Sequence, residues 1–357
     1  MAGNRQHVLP QFLLRGFTSR EEKDNCFSWV FRKNSVSFET NIINIAVSNR
    51  FYTTESDSQV DDEITKAEND FGLLISDLRR ISKSTEVTSE DICHFLAHLE
   101  IRTRHLRESL LESSSILINE LLDFLKDTKT LKEIVLKKIH EDPSLLSDAI
   151  EKEFKNCSLQ PGFKELIRKL ALQNAPKLLK DIEPYLAVFV EVLSKEIPNR
   201  LPKMAKTGHI NALKKTIVPD SRVDAYRNLK FHIKVFDNNS LILGDFGVLI
   251  EVESKRRFKT IREQSDKLRN VYLPISKNHL LVGSNQTNIN ISLSELLRAI
   301  AESSREFFIS SHNVSDNEKL AQNIGMNCKL LSDEELKLIC TEIFNDEING
   351  IPTKHST

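Results

Sequence analysis

Three polar residues of different chemistry recur at four-residue spacing in the first segment of the chain: His7, Gln11 and Arg15. In a helix this spacing places all three on one face, whereas in an extended segment they share a face only while the chain stays regular. An imidazole, an amide and a guanidinium together can bind a phosphate or a carboxylate. The alternative is a buried polar network that anchors this segment to the domain. The spacing makes all three candidate catalytic residues without deciding between these roles.

Asp245 lies in a Gly-Asp-Phe-Gly segment between two apolar runs. Its carboxylate can bind a cation or act as a base, but aspartate also stabilises turns by accepting hydrogen bonds from nearby backbone amides. Further along, alternation places Glu251, Glu253 and Lys255 on one side of a predicted strand.

An Asp followed at a distance by Glu-x-Lys resembles the core of the restriction-endonuclease-like, metal-dependent nucleases. The resemblance implies that Asp245 and Glu253 hold Mg²⁺ or Mn²⁺, with Lys255 near the attacking water. The alternative is a solvated strand edge whose charges prevent aggregation.

The densest basic stretch begins at Lys255 and reads Lys-Arg-Arg-Phe-Lys, with further cations up to Arg269. Such cations can track a phosphate backbone, and Phe258 can stack on a base. A solvated surface loop is the alternative. The candidate nucleic-acid contacts, which include two arginines from an earlier helix, are Arg256, Arg257, Lys259, Arg262, Arg102 and Arg104.

The earlier helix also carries histidines. His94 and His98 lie four residues apart, so both could ligate one metal, and His105 follows on the same segment. The His-Glu-x-x-His arrangement of zinc proteases is absent, and Glu100 can instead pair with Arg104 across one helical turn. We therefore expect a structural helix here rather than a metal site.

Composition narrows the class of protein. The 357 residues are 39% hydrophobic and 28% charged, with 50 Lys and Arg against 51 Asp and Glu, so the chain is globular and has no global positive field. The five cysteines form no Cys-x-x-Cys pair, and neither a signal peptide nor a run of about 18 apolar residues is present. We expect a cytoplasmic protein without membrane contact. Walker A, Gly-x-Gly-x-x-Gly and Gly-x-Ser-x-Gly motifs are also absent.

The elements that must position these residues follow from periodicity. Short aromatic or alternating runs predict strands at residues 26–31, 36–38, 229–236, 241–243, 248–252, 271–273 and 279–282. Helical spacing predicts helices over 60–81, from a cap at Thr88 or Ser89 to about Lys126, and over 293–310 with a cap at Ser292 or Ser294. Prolines divide residues 130–206 into several predicted short helices. A tail helix is expected over 332–344.

These elements predict an α+β fold, in which one antiparallel or mixed sheet built from N- and C-terminal strands is covered by a large helical block. The predicted segments are 1–129 with the first strands and core helices, 130–226 as a helical insertion or cap, 227–312 completing the core, and 313–357 as a helical tail.

The motifs resemble one family. His7-x-x-Pro10-Gln11-Phe12-x-Leu14-Arg15-x-Phe17 is similar to the opening motif of the bacterial and fungal group named domain of unknown function 4238. Weaker similarities follow in order at Phe51-Tyr52, Arg102-Thr-Arg104, Gly244-Asp245-Phe-Gly-Val248 and Tyr272-Leu-Pro-Ile-Ser276. The segment from Gly244 to Val248 departs from the family's Ser-Asp-Asn-Pro-Val at Phe246 and Gly247. The resemblance covers roughly residues 5 to 310 and implies no particular chemistry.

Our leading hypothesis from the sequence is a metal-dependent nuclease, or an effector directed at DNA or RNA, in phage defence. One alternative is a non-catalytic binding or regulatory module, whose helical insertion is the surface for a protein partner. Another is a small-molecule hydrolase or transferase.

Overall fold

The structure, a computed structural model, describes residues 5–53, 58–88, 90–142, 144, 161–238, 240–263, 265–286, 291–329, 331, 335–336 and 338–339. The chain divides into two compact units, each discontinuous in sequence. The first contains the described residues within 1–111 and 203–330, and the second those within 112–202 and 331–357. All described strands and all candidate residues named above belong to the first unit.

The described strands are β1 (Arg5–His7), β2 (Arg20–Glu22), β3 (Asn25–Phe31), β4 (Phe38–Asn41), β5 (Val47–Asn49), β6 (Thr85–Val87), β7 (Lys230–Val235), β8 (Leu243–Gly244), β9 (Leu249–Val252), β10 (Phe258–Lys259), β11 (Leu268–Pro274), β12 (His279–Ser284) and β13 (Phe308–Ser310). The described α-helices are α1 (Gln11–Leu14), α2 (Gln59–Arg79), α3 (Glu90–Arg102), α4 (Arg104–Lys126), α5 (Thr128–Glu141), α6 (Pro161–Lys215), α7 (Asp220–Arg227), α8 (Leu293–Ser303) and α9 (Ser315–Ala321).

The predicted α+β class is confirmed, and the strands come from both ends of the chain. They form more than the one sheet expected. A six-stranded antiparallel sheet has the order β10-β9-β11-β12-β7-β6, and a second sheet has the order β2-β3-β13-β8 with β4 also paired to β3. A two-stranded ribbon joins β1 to β5, with His7 opposite Val47. Each of the two larger sheets therefore combines strands that are distant in sequence.

Several local predictions are confirmed. Helix α2 matches the predicted helix over 60–81, and the buried Ile64, Phe71 and Ile75 lie on its inner face. Strands β11 and β12 contain the predicted strands over 271–273 and 279–282 and pair antiparallel. The Ser292 hydroxyl accepts a hydrogen bond from the Glu295 amide, as a helix cap should. The predicted cap at Ser89 lies outside the described residues, as does most of the predicted tail helix.

The prediction of several short helices over 130–206 is wrong for its second half. Helix α6 runs for 55 residues through Pro176, Pro184, Pro198 and Pro202. An internal proline removes one backbone donor and displaces one carbonyl, but the hydrogen bonds on either side can continue the helix. Within the second unit this helix exposes apolar side chains, among them Val188 and Val192. Among the described helices, none is both long enough and apolar enough to cross a membrane.

The opening motif packs into the main hydrophobic core. Leu13, Leu14 and Phe17 are fully buried there. Gly16 is required by a close approach of two backbones, since a Cβ atom at this position would lie 2.3 Å from the carbonyl oxygen of Ile275. The Gly16 carbonyl accepts a hydrogen bond from the Lys277 amide at 2.8 Å. The first motif is therefore fixed against the Tyr-Leu-Pro-Ile-Ser segment.

Candidate functional site

An open cleft in the first unit has a volume of about 100 Å³. Its walls combine arginines, carboxylates and small apolar side chains, and we call it the arginine cleft. It is lined by Val8, Arg32, Asn44, Ala46, Val47, Arg104, His105, Glu108, Asp245, Arg305, Glu306 and Phe307.

Six segments of the chain that are remote in sequence build the arginine cleft. The β1–β5 ribbon contributes Val8 and the segment 44–47, and the first turns of α4 contribute Arg104 and Glu108. Asp245 follows β8, residues 305–307 connect α8 to β13, and Arg32 follows β3. The cleft therefore depends on the pairing of β13 between β3 and β8.

Asp245 holds the connection between α8 and β13. Its carboxylate accepts hydrogen bonds from the backbone amides of Arg305 at 2.9 Å, Glu306 at 2.6 Å and Phe307 at 3.3 Å. Burial raises the pKa of Asp245 to about 6, although the three amides oppose the shift. The side chain is only 8% exposed, so its role here is to fix a backbone segment.

The hydrogen bonds to Asp245 also explain why one helix ends earlier than predicted. The helix predicted over 293–310 ends at Ser303, because the amides of residues 305–307 donate to Asp245 instead of to helical carbonyls. The chain then continues as β13, in which Phe308 stacks on Phe31 at 5.1 Å between ring centroids.

The rim of the arginine cleft carries an alternating series of charges. Arg305 pairs with Glu108 at 2.7 Å, and Arg104 pairs with both Glu108 and Glu306, the latter at 3.2 Å. Burial lowers the pKa of Arg104, but the hydrogen bond to Glu108 and the nearby carboxylates outweigh burial and raise it. Arg32 is exposed, and its guanidinium lies 5.7 Å from the centre of the Phe38 ring. Arg32 forms no ion pair with any described carboxylate.

His105 forms part of the cleft wall. Its Nε2 atom lies 2.8 Å from the Thr260 hydroxyl, and its ring packs edge-on against Phe246. Burial lowers the pKa of His105 to about 3, and the charges of Arg305 and Arg256 add to the shift. The imidazole is therefore neutral at pH 7 and is a poor general acid there.

The three N-terminal candidates do not line the arginine cleft. His7 lies in β1, where its carbonyl accepts a hydrogen bond from Arg102 at 2.9 Å, and burial lowers the pKa of its ring. Gln11 opens α1, and Arg15 is exposed in the turn that follows. Only their neighbour Val8 reaches the cleft.

The two predicted metal ligands, Asp245 and Glu253, do not both line the arginine cleft. Asp245 lines it, whereas Glu253 is exposed and pairs with Arg269 at 3.2 Å. Strand β9 ends at Val252, so Glu253 and the exposed Lys255 lie beyond the strand on which they were predicted. Among the residues that the structure describes, no three His, Cys, Asp or Glu side chains gather as a metal site. Binding of Mg²⁺ or Mn²⁺ stays a prediction.

Most of the predicted basic run pairs within the protein. Arg257 pairs with Glu251 at 2.6 Å and with Glu295. Lys259, 6% exposed, contacts Glu263 and Asp266, each at 2.8 Å.

Two of its remaining members also have internal hydrogen bonds, Arg256 through its side chain and Arg262 through its backbone amide. Arg256 donates to the Asn327 side chain at 2.7 Å, and the Arg262 amide donates to buried Glu100 at 2.8 Å. Burial and the internal partners leave few of these groups available to a phosphate backbone.

Arg102, proposed above as a nucleic-acid contact, is 1% exposed. Its guanidinium contacts the Glu68 carboxylate, the His98 ring, the Tyr52 hydroxyl and the His7 carbonyl. His98 in turn contacts the Ile217 carbonyl at 2.9 Å, which accounts for one of the histidines considered for metal binding. The geometry makes Arg102 a structural residue of the first unit.

Contacts also link the motifs of the family resemblance. Arg102 bonds to His7 of the opening motif, and Tyr52 donates to the Arg102 carbonyl at 2.8 Å. Leu9 packs beside Gly247, at 3.6 Å from the position of a Cβ atom there. Independently, the family model described as protein of unknown function (DUF4238) matches residues 5–317. The chain belongs to the DUF4238 family.

No curated protein and no solved structure matches this DUF4238 chain. Its family motifs are explained by packing, because each contacts another motif in the core. The cleft residues Arg32, Glu108, Arg305 and Glu306 were not predicted from the sequence. Only the four-residue spacing of Arg104 and Glu108 gave a local signal, since such a pair lies on one helical face.

Proposed function

We propose that this DUF4238 protein is a binding module whose arginine cleft takes a small anionic ligand. The observation that carries the proposal is the combination of an open cavity with Arg32, an exposed guanidinium that forms no ion pair with a described carboxylate. Arg104 lies beside it on the rim, paired with Glu108 and Glu306 but still 43% exposed. Guanidinium groups bind carboxylates and phosphates through paired hydrogen bonds, which makes an anion the natural ligand.

The size of the cavity limits the ligand. An apolar cavity of about 150 Å³ holds a benzene molecule, so the volume of about 100 Å³ suits a small molecule or one end of a larger one. Val8, Ala46 and Val47 supply an apolar wall beside the charged rim. A short carboxylate with an aliphatic part matches both surfaces.

A metal-dependent nuclease acting on DNA or RNA in phage defence is less well supported. Its candidate residues Asp245, Glu253 and Lys255 do not meet in the arginine cleft, and the Asp245 carboxylate is engaged by three amides. Incubation of the purified protein with DNA and RNA in Mg²⁺ or Mn²⁺ is expected to give no cleavage. Cleavage that Glu253→Gln abolishes would favour the nuclease.

The binding proposal is tested by isothermal titration of the protein with a panel of short carboxylates and phosphate esters. We expect at least one to bind, and Arg32→Gln to weaken its binding about tenfold to a hundredfold, because a hydrogen bond to a charged group contributes about 1.5–3 kcal/mol. Lys33→Gln, a change at the adjacent exposed residue, is the matched control and should bind normally. Absence of binding across the panel, or normal binding by Arg32→Gln, would refute the proposal.

A further inference from the structure

A second cationic site lies outside the arginine cleft, where α4 meets the C-terminal part of α6 within the first unit. Its centre is Arg107, which is not among the residues that line the cleft. The Arg107 guanidinium lies 3.5 Å from the centre of the Phe51 ring. It donates from Nη2 to the Phe51 carbonyl at 2.8 Å and from Nε to Nδ1 of His209 at 3.0 Å. These contacts fix the plane of the guanidinium.

None of the groups that hold Arg107 is an anion. His209 contacts the Ile101 carbonyl through Nε2 at 2.8 Å, so Nε2 carries the proton and Nδ1 is free to accept from Arg107. Burial lowers the pKa of His209 to about 4, and the ring is neutral at pH 7. Arg107 forms no ion pair with any described carboxylate, since the neighbouring Glu108 pairs with Arg104 and Arg305. Among the described residues, its charge is therefore held in place without an ion-pair partner, although Glu108 raises its pKa from a distance.

Two further cations belong to the same cluster. Lys206 lies three residues before His209 on α6 and therefore on the same face of the helix. Burial lowers the pKa of Lys206, and repulsion by Arg107 and Arg50 lowers it further. Arg50 follows β5 with a backbone φ of 49°, a left-handed conformation that is uncommon for a side chain of this size. Folding thus brings three cationic residues together despite their mutual repulsion.

We infer that Arg107 and Lys206 form a binding site for a phosphoryl group. A tetrahedral dianion matches the charge of the site better than a single carboxylate, because one guanidinium and one ammonium would already neutralise its two charges. The planar Arg107 guanidinium still presents its Nη1 side, which the contacts to Phe51 and His209 do not use. The inference does not depend on the ligand proposed for the arginine cleft.

The test is isothermal titration at low ionic strength with inorganic phosphate and with phenyl phosphate, and with sodium chloride as the control for general screening. We expect saturable binding of phosphate or of the monoester. Tighter binding of the monoester would indicate that the phosphoryl group belongs to a larger molecule. Lys206→Gln should weaken binding about tenfold, since it removes one of the charge-assisted contacts.

Matched variants distinguish binding at this site from binding in the arginine cleft. Lys215→Gln changes an exposed lysine of the same helix and should bind phosphate as the unaltered protein does. Arg107→Lys keeps the charge but loses the fixed guanidinium plane, so weaker binding with an unchanged melting temperature supports the site. Absence of saturable binding, or equal binding by Lys206→Gln and the unaltered protein, would overturn the inference. Loss of phosphate binding in Arg32→Gln with normal binding in Lys206→Gln would also overturn it, because the ligand would then occupy the arginine cleft.

Discussion

Arg102 and Arg107 lie five positions apart in the sequence, and their surroundings differ in kind. Arg102 is fully buried against the Glu68 carboxylate, and although burial lowers its pKa, Tyr52 and Glu68 raise it above the ordinary value. Arg107 is partly buried against neutral hydrogen-bond partners, and burial lowers its pKa to about 10, although Tyr52 and Glu108 oppose the shift. Desolvation acts on both guanidiniums, so the counterion decides the direction of the shift. The first arginine is therefore part of the fold, whereas the second forms no ion pair with a described carboxylate.

The largest expected effect concerns the neutral histidines, one of which accompanies each arginine. His98 contacts Arg102 at 3.0 Å and His209 contacts Arg107 at 3.0 Å, while His105 lies in the arginine cleft. Burial lowers the pKa of His98 and His105 to about 3 and that of His209 to about 4. Because the unfolded chain takes up these protons near pH 6.5 and the folded chain does not, stability is lost as the pH falls below about 6.5.

The size of this loss follows from the same linkage. At pH 5 each histidine should cost about 2 kcal/mol relative to pH 7.5. Asp245, whose pKa is raised to about 6, acts in the opposite direction: its protonation in the folded protein stabilises the fold by about 1 kcal/mol at pH 5. We expect a net loss of about 5 kcal/mol in urea unfolding at pH 5, and a larger loss for Asp245→Asn, which lacks the opposing contribution. Equal stability at the two pH values would contradict the neutral, buried state of the histidines.

The second largest effect is the loss of stability expected when Arg102 is changed to methionine, a change that is made at Arg107 as well for comparison. Arg102→Met should destabilise the protein by about 3 kcal/mol, because it leaves the Tyr52 hydroxyl, the His7 carbonyl and the Glu68 carboxylate without their shared partner. Urea unfolding at pH 7.5 measures this loss. Arg80→Met, which removes an exposed pair with Asp77, should stay within about 0.5 kcal/mol. A loss that small at Arg102 would mean that its network is not structural.

Of the two arginines compared, Arg107 is expected to have the smaller effect on stability. Arg107→Met keeps an unbranched side chain over the Phe51 ring and removes a desolvated charge. These gains offset the loss of the hydrogen bonds to the Phe51 carbonyl and His209, so we expect a change within about 1 kcal/mol of the unaltered protein. The same variant should lose phosphate binding. If Arg107→Met destabilises the protein as much as Arg102→Met, the contrast between the two arginines is wrong and Arg107 is a structural residue as well.

Local pattern was sufficient for much of the fold. The amphipathic spacing of α2, the short apolar runs of β11 and β12 and the Ser292 cap all depend on interactions within a few residues, and all were predicted. The order of motifs along the chain also predicted the family that the family model then matched. For the candidate site, the sequence identified Asp245 as important and offered a backbone-bonding role as the alternative to catalysis.

Contacts between distant segments set the features that local pattern did not predict. Helix α8 ends at Ser303 because Asp245, some 60 residues earlier, accepts the amides that would have continued it. Lys259 and Arg257 read as free cations in the sequence, but folding brings carboxylates to both.

Arg102 and Arg107 show most directly what local sequence pattern cannot predict. Both are arginines in charged, helical sequence, and neither the residue type nor its spacing from other residues distinguishes them. The family, the α+β class and most individual elements follow from the sequence alone, since periodicity and caps are local. Which charges are neutralised, and which remain to bind a ligand, depends on the tertiary structure. A charge is stabilised or left without a counterion by groups within a few ångströms in space, and these groups come from distant parts of the chain.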